Sequence, residues 1–221
     1  LSEALSILAG LAAGDAIAVE RGVHDVRKRC KEVRGLARLV RSSIGSEFER
    51  CNALVREAAD ELSSIRDAHA VLATFDDLCA VRGAKGDADL ARVRLPQVEL
   101  VGEATSGLDR DDPRFVRARE LLVAVRDRSD RWKIPEGFDT LRIGLETTYR
   151  RGRRALRRAR AHPTDEHLHE WRKAVKTLWY EIRLIEQAAP SALESLEASL
   201  DDLAEALGDD HDLEVRLRVL R

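Results

Sequence analysis

The chain holds 221 residues, with 38 Lys and Arg against 40 Asp and Glu, 44% apolar residues and 4% aromatics. That apolar content is ample for a core, and the near-neutral total excludes no charged partner, because acids crowd Asp201–Asp212 while bases crowd Arg150–Lys176. No run of 18 or more apolar residues is present, which excludes a membrane-spanning helix. Three cysteines (Cys30, Cys51, Cys79) without a C-x-x-C spacing argue against a disulfide framework and fit a reducing cytoplasm. No signal peptide is read, and a chain that starts at Leu1 and has no Met reads as a trimmed domain.

Residues 2–20 predict an amphipathic helix with Leu5, Leu8, Ala12, Ala16 and Val19 on its apolar side. The next helix, to about Arg41, contains HDVRKRCKEVRGLAR from His24 to Arg38. Its cations His24, Arg27, Lys28, Lys31, Arg34 and Arg38 fall on one face within about a 120° arc, and Val26, Cys30, Val33, Ala37 and Val40 take the other. Cys30 is therefore read as core packing. Charge runs are usually solvated helix faces, but such faces mix signs at i,i+3 and i,i+4. Here Arg27–Lys31, Lys28–Lys31, Lys31–Arg34 and Arg34–Arg38 are like-charged neighbours, each costing an isolated helix about 0.2–0.5 kcal/mol. Such a rail, roughly 21 Å long at 1.5 Å per residue, is unfavourable unless an anion lies along it.

Further along, Ser46 and Glu49 form an S-x-x-E capping box before a helix carrying Phe48, Cys51, Leu54, Val55, Ala58 and Leu62. Asp67 reads as the cap of another helix through Val71, Leu72, Phe75 and Leu78. Arg82–Asp89 reads as loop, and residues 90–112 as a short helix or loop, because Pro96 and Gly107 interrupt any regular pattern. Asp112 and Pro113 open a helix to about Arg131 whose alternating signs suit an ordinary solvated face. After Pro135-Glu136-Gly137, a helix over 138–160 carries YRRGRRALRRAR, the densest basic run. In it Arg150, Arg153, Arg154 and Arg157 cluster, Arg151 and Arg158 flank them, and Gly152 falls on the packed side, where it would admit another helix. Beyond Pro163 come a second basic helix, a helix capped by Ser191, Gly208 as a C-cap, and a final helix.

The second basic helix repeats the first at an offset of 145: His24, Arg27, Lys28, Lys31 and Arg38 match His169, Arg172, Lys173, Lys176 and Arg183. The apolar face recurs as Trp171, Val175, Leu178, Ile182 and Ile185, and Trp179 replaces Arg34. The register continues without a gap, Ser46 and Glu49 matching Ser191 and Glu194, and Leu62, Asp67 and Leu72 matching Leu207, Asp212 and Leu217. An all-α protein of two similar halves is predicted, 1–83 and 138–221, joined by a segment over 84–137 with one helix. Two copies of an electrostatically awkward pattern point to a shared anionic ligand.

Guanidinium forks match phosphate oxygens bidentately, and lysines act on them as point charges. A rail this long suits a repeated anion: a nucleic-acid backbone, an anionic membrane surface or inorganic polyphosphate. Membrane surfaces want exposed apolar residues beside the cations, whereas these helices spend their apolar faces on packing. Single strands want interleaved aromatics for stacking, and only Trp179 and Tyr180 lie near a rail. A phosphate chain without bases fits best. His24 and His169 open the rails, where an imidazole suits a phosphate. His167 and His169 with His211 make a weak metal pattern, since an i,i+2 spacing turns the first two to different sides; no metal is expected. Asp67 and Asp212 read as caps before catalytic carboxylates, and no nucleophile triad, P-loop or dinucleotide fingerprint is present, so no catalysis and no cofactor are expected.

The two H-x-x-R-K-x-x-K-x-x-x-x-x-x-R helices, together with FDTLRIGLETTYRRGRRALRRA, resemble the CHAD domain (conserved histidine α-helical domain) over essentially all of residues 1–221. The resemblance implies two four-helix bundles related by a pseudo-two-fold axis, with basic helices lining a central channel. It implies non-catalytic binding of inorganic polyphosphate in the cytoplasm, at polyphosphate granules. The contacts it implies are His24, Arg27, Lys28, Lys31 and Arg38 with His169, Arg172, Lys173, Lys176 and Arg183, plus Arg150, Arg153, Arg154 and Arg157 of the dense run. The alternatives are a general polyanion or nucleic-acid binder, and an accessory domain of a phosphate-hydrolysing enzyme; the triphosphatase domain that precedes many such domains does not occur in this chain.

Overall fold

The structure, a computed structural model, describes residues 1–11, 16–81, 88–105, 108 and 111–219. All regular structure among them is helical. In chain order the helices are α1 (Ser2–Gly10), α2 (Ala16–Leu39), α3 (Arg41–Ile44), α4 (Glu47–Glu61), α5 (Ser63–Val81), α6 (Ala88–Thr105), α7 (Pro113–Ser129), α8 (Asp139–Ala161) and α9 (Asp165–Ile185). A 3-10 turn over Glu186–Ala188 then leads into α10 (Pro190–Val219). The chain forms two compact units, the first of Leu1–Cys30 with Arg50–Arg131, the second of Lys31–Glu49 with Trp132–Arg221. These units cut across the sequence repeat, because α2 begins in the first and ends in the second.

In the first unit, α2 buries Val19, Val23, Val26 and Cys30 along one helical line. Ala4 and Leu8 of α1, one turn apart, are both buried, and α1 packs against α7. Pro113 occupies the first turn of α7 and the Asp112 carboxylate accepts from the Arg114 amide at 2.9 Å, the expected cap. The same carboxylate takes the Arg114 guanidinium on both oxygens at 2.9 Å, and these bonds hold it below the usual carboxylate range.

Several boundaries differ from the sequence reading. The stretch expected as one helix over 2–20 is two helices, α1 stopping at Gly10 before Leu11. Asp67 is no cap: α5 starts at Ser63, whose hydroxyl donates to the Asp60 carbonyl, and Asp67 pairs with Arg66 inside the helix at 2.8 Å. Residues 88–105, expected as short helix or loop, form α6 with Pro96 inside it. The missing amide costs one helical bond, and α6 is held on α5 by the Arg94 guanidinium, which grips both Asp76 oxygens at 2.7 and 2.9 Å. Gly107 and most of the expected loop Arg82–Asp89 lie outside the described residues. Gly208 is no C-cap, since α10 runs through it without a break, and the helix begins at Pro190, one residue before Ser191. Asp212 and His211 fall inside α10, so neither opens a helix; their side chains lie outside the described residues.

In the second unit, α9 packs against both α8 and α10. Its core is Val175, Trp179 and Ile182 of α9 against Leu200, Ala204 and Leu207 of α10. On α8 the close approach comes at Gly144, not Gly152. A methyl group built at Gly144 would lie 2.5 Å from the Leu39 carbonyl oxygen and 2.6 Å from the Leu39 Cα, whereas one at Gly152 would meet nothing within 4 Å. The end of α2 and the start of α8 therefore touch backbone to backbone.

Gly144→Ala should destabilise the protein by about 1–3 kcal/mol, because backbone cannot step aside as a side chain can. Gly152→Ala should instead gain up to about 1 kcal/mol from helix propensity. Urea denaturation of the two variants beside the parent checks both signs.

Candidate anion-binding site

Each expected contact residue has a definite place. On the part of α2 in the first unit, His24 is exposed, and Lys28 and Arg27 are half-buried. The Arg27 guanidinium is turned inward and donates to the Ala59 carbonyl at the end of α4, so it anchors two helices rather than facing solvent. The rest of the rail, Lys31, Arg34 and Arg38, belongs to the second unit, as do all the basic residues of α8 and α9.

The second unit concentrates these cations. Arg38 lies within electrostatic reach of Arg34 on its own helix, Arg151 of α8 and Arg41 of α3. Burial, and then those three neighbours, push its guanidinium below its usual value, while Glu181 of α9 acts in the opposite sense. On α9, the Lys176 ammonium sits 4.8 Å and the Arg183 guanidinium 5.1 Å from the centre of the Trp179 ring. Trp179 is itself buried, edge-on to Tyr180 at 4.8 Å, so the residue that replaces the rail cation Arg34 gathers two cations over its π face. Arg153, Arg154 and Arg157 stand exposed on α8.

Other contact residues have acidic or packing partners, which the sequence reading did not foresee. Lys173 is paired with Glu170 one turn away and draws that carboxyl below its usual range. Arg150 pairs with Glu146 at 2.9 Å, and Lys176 lies 4.0 Å from Asp201 of α10. Arg172 leans over α10, its Nη2 only 3.3 Å from where a methyl at Gly208 would sit. His169 is half-buried. Among the described residues no group of three or more His, Cys, Asp or Glu side chains is placed to hold a metal ion.

The CHAD domain profile matches residues 3–221. The chain belongs to the CHAD family. Searches of curated proteins and of solved structures return no match. In this CHAD domain, α2 and α9 are the paired basic helices, and α8 carries the dense arginine run.

The group that sequence reasoning missed is Glu181. It lies on the second basic helix, fully buried, with one carboxyl oxygen accepting from the Thr148 hydroxyl of α8 at 2.9 Å and the other, Oε2, without a hydrogen-bond partner. Burial drives its carboxyl up to about 8, against the smaller opposing effects of the Thr148 bond and of Arg38. A signal existed: Glu181 lies seven residues after Ala174, on the line that the helix buries.

The sign of the pH dependence follows. A carboxyl whose folded value is raised from 4.5 to about 8 favours the folded state fully below its unfolded value and loses that contribution as pH rises towards 8. The parent protein should therefore lose stability between about pH 5 and pH 8, at up to about 1.4 kcal/mol per pH unit from this group. Glu181→Gln should show a flatter profile over that window, read by Tm against pH at constant ionic strength.

Proposed function

We propose that this CHAD domain binds inorganic polyphosphate through its basic helices and performs no chemistry on it. The observation that carries the reading is the crowding of Arg34, Arg41 and Arg151 within electrostatic reach of the largely buried Arg38, with the exposed Glu49 beside Arg41 and the half-exposed Glu170 beside Arg151. Like charges so gathered repel, and a multiply charged anion relieves the repulsion. A linear chain of phosphates can run from this cluster to Lys176 and Arg183 on α9 and to the exposed arginines of α8, engaging them without demanding base contacts. Polyphosphate binding is a general property of the family, whose domains are generally non-catalytic, which supports the same assignment.

The finer parts of the reading belong to this proposal. They are the two-bundle pseudo-two-fold arrangement with its central channel, the contribution of His24, Arg27, Lys28, His169, Arg172 and Lys173, and association with cytoplasmic polyphosphate granules. No helix among the described residues is long and apolar enough to cross a membrane.

One observation favours a second reading, nucleic-acid binding: Tyr149 is exposed beside Arg150 and Arg153 on α8, where it offers a stacking face. Trp179, the other aromatic of the basic helices, is buried and offers none.

A competition titration separates the two. Labelled long-chain polyphosphate is displaced by RNA, single-stranded DNA, ATP and orthophosphate at physiological ionic strength. Displacement by unlabelled polyphosphate alone, at matched phosphate concentration, supports a bare-phosphate site; equal displacement by RNA or DNA puts the nucleic-acid reading first. The double variant Lys31→Glu with Arg183→Glu, both positions being exposed, should weaken polyphosphate binding at least tenfold, about 1.4 kcal/mol. Its helicity and Tm should stay near those of the parent. Raising salt from 50 to 200 mM should likewise cost at least about tenfold in affinity, as counterion release requires, and a flat salt response would remove the electrostatic mechanism.

A further inference from the structure

Within the second unit, α2, α8 and α9 meet around a polar interior. On α2, Gly35 is buried, and a methyl there would lie 3.5 Å from the Tyr180 Cβ and 4.0 Å from the Glu181 Cγ. The Glu181 stem thus lies beside α2 at Gly35, one turn before Arg38. On α8, Thr148 supplies the one hydrogen bond to the carboxyl, and Gly144, one turn earlier, brings the α2 backbone into contact at Leu39. The second carboxyl oxygen is buried, without a hydrogen-bond partner, in a junction whose nearest cation is Arg38.

This geometry has two settings. An ionised Glu181 attracts the Arg38 guanidinium and offsets part of its charge. A protonated Glu181 removes that attraction and leaves Arg38 to its cationic neighbours Arg34, Arg41 and Arg151, of which Arg41 pairs with Glu49 and Arg151 lies 4.0 Å from Glu170, so an external anion is favoured more. We propose that Glu181 is a positioning residue whose protonation sets the affinity of the Arg38 cluster for phosphate, so that binding of a polyphosphate chain takes up a proton at this carboxyl. The proposal rests on the polyphosphate reading given above.

Of the charged and titratable groups around the junction, α2 supplies Glu32, Arg34 and Arg38; α3, Arg41, paired with Glu49 of α4; α8, Arg151, 4.0 Å from Glu170 of α9; α9, Tyr180 and Arg183; and α10, Asp201. Arginines hold their charge throughout. Burial, and next Glu32, push the Tyr180 hydroxyl above its usual value near 10. Because linkage is reciprocal, a phosphate chain that favours the protonated carboxyl must bind more weakly as that proton is lost.

The test is the dissociation constant of long-chain polyphosphate for the whole 221-residue chain from pH 6.5 to 9.5 at fixed ionic strength, with Glu181→Gln and Thr148→Val beside the parent. The parent should lose affinity between pH 7.5 and 9, approaching tenfold per pH unit, the limit for one linked proton. Glu181→Gln should keep its low-pH affinity across that range. Thr148→Val, which removes the bond that favours ionisation, should move the parent's transition to higher pH, a shift that a purely structural loss would not produce and that serves if the Gln variant fails to fold. Parallel pH profiles for all three proteins would overturn the inference while leaving the polyphosphate reading intact. Failure of the folded parent to bind polyphosphate at any pH would overturn both.

Discussion

Burial holds the Glu181 carboxyl back from ionisation, against the Thr148 hydrogen bond and the smaller pull of Arg38. Opposite charges at about 4 Å attract by about 4 kcal/mol at an effective dielectric of 20. Stripping a carboxylate of water costs several kcal/mol, and only good geometry with further hydrogen bonds offsets that. Here the carboxyl has one donor, Thr148, and an oxygen with no hydrogen-bond partner, so burial prevails and the group is held near 8. Arg38 cannot shift the balance alone, because Arg34, Arg41 and Arg151 compete for any negative charge in reach. At neutral pH Arg38 thus has a mostly neutral acid within electrostatic reach.

The two repeated basic helices differ at several matched positions. At three adjacent ones, α2 reads Arg34-Gly35-Leu36 and α9 reads Trp179-Tyr180-Glu181. The differences are complementary. Gly35 lies beside the Tyr180 stem, a methyl there being 3.5 Å from the Tyr180 Cβ, and Glu181 is buried while Leu36, its counterpart, is exposed. Trp179, in the place of Arg34, removes one cation and concentrates two others, Lys176 and Arg183, on its ring.

Helical class, the apolar faces of α2 and α9 and the capping by Asp112 were legible because each depends on spacing within one segment. Val26, Cys30, Ala37 and Val40 are all buried as their period requires, and Val33 partly so. What was not legible depends on partners distant in sequence. Gly144 and Gly152 look alike on α8, and only the backbone of Leu39 distinguishes them. Pro96 reads as a breaker until α5 offers Asp76 to Arg94. Gly208 reads as a helix stop until Arg172 is found lying over it. The cations of the candidate site were legible as residues but not as a constellation: Arg27 proved an anchor to Ala59, and Arg41 and Arg151 joined the cluster from helices that the repeat did not align.

The acidic partners of the rail cations bear on why a basic face with internal ion pairs is still suited to a phosphate chain. Glu146, Glu170 and Asp201 neutralise Arg150, Lys173 and Lys176 while each stays about half exposed. Pairs this wet contribute about 0–1 kcal/mol, so exchanging the carboxylate for a phosphate oxygen costs little. They limit repulsion along the helix. The Arg38 junction differs because its carboxyl is dry and cannot swing into solvent to make way. The charge of that carboxyl is therefore set by protonation and not by movement into solvent.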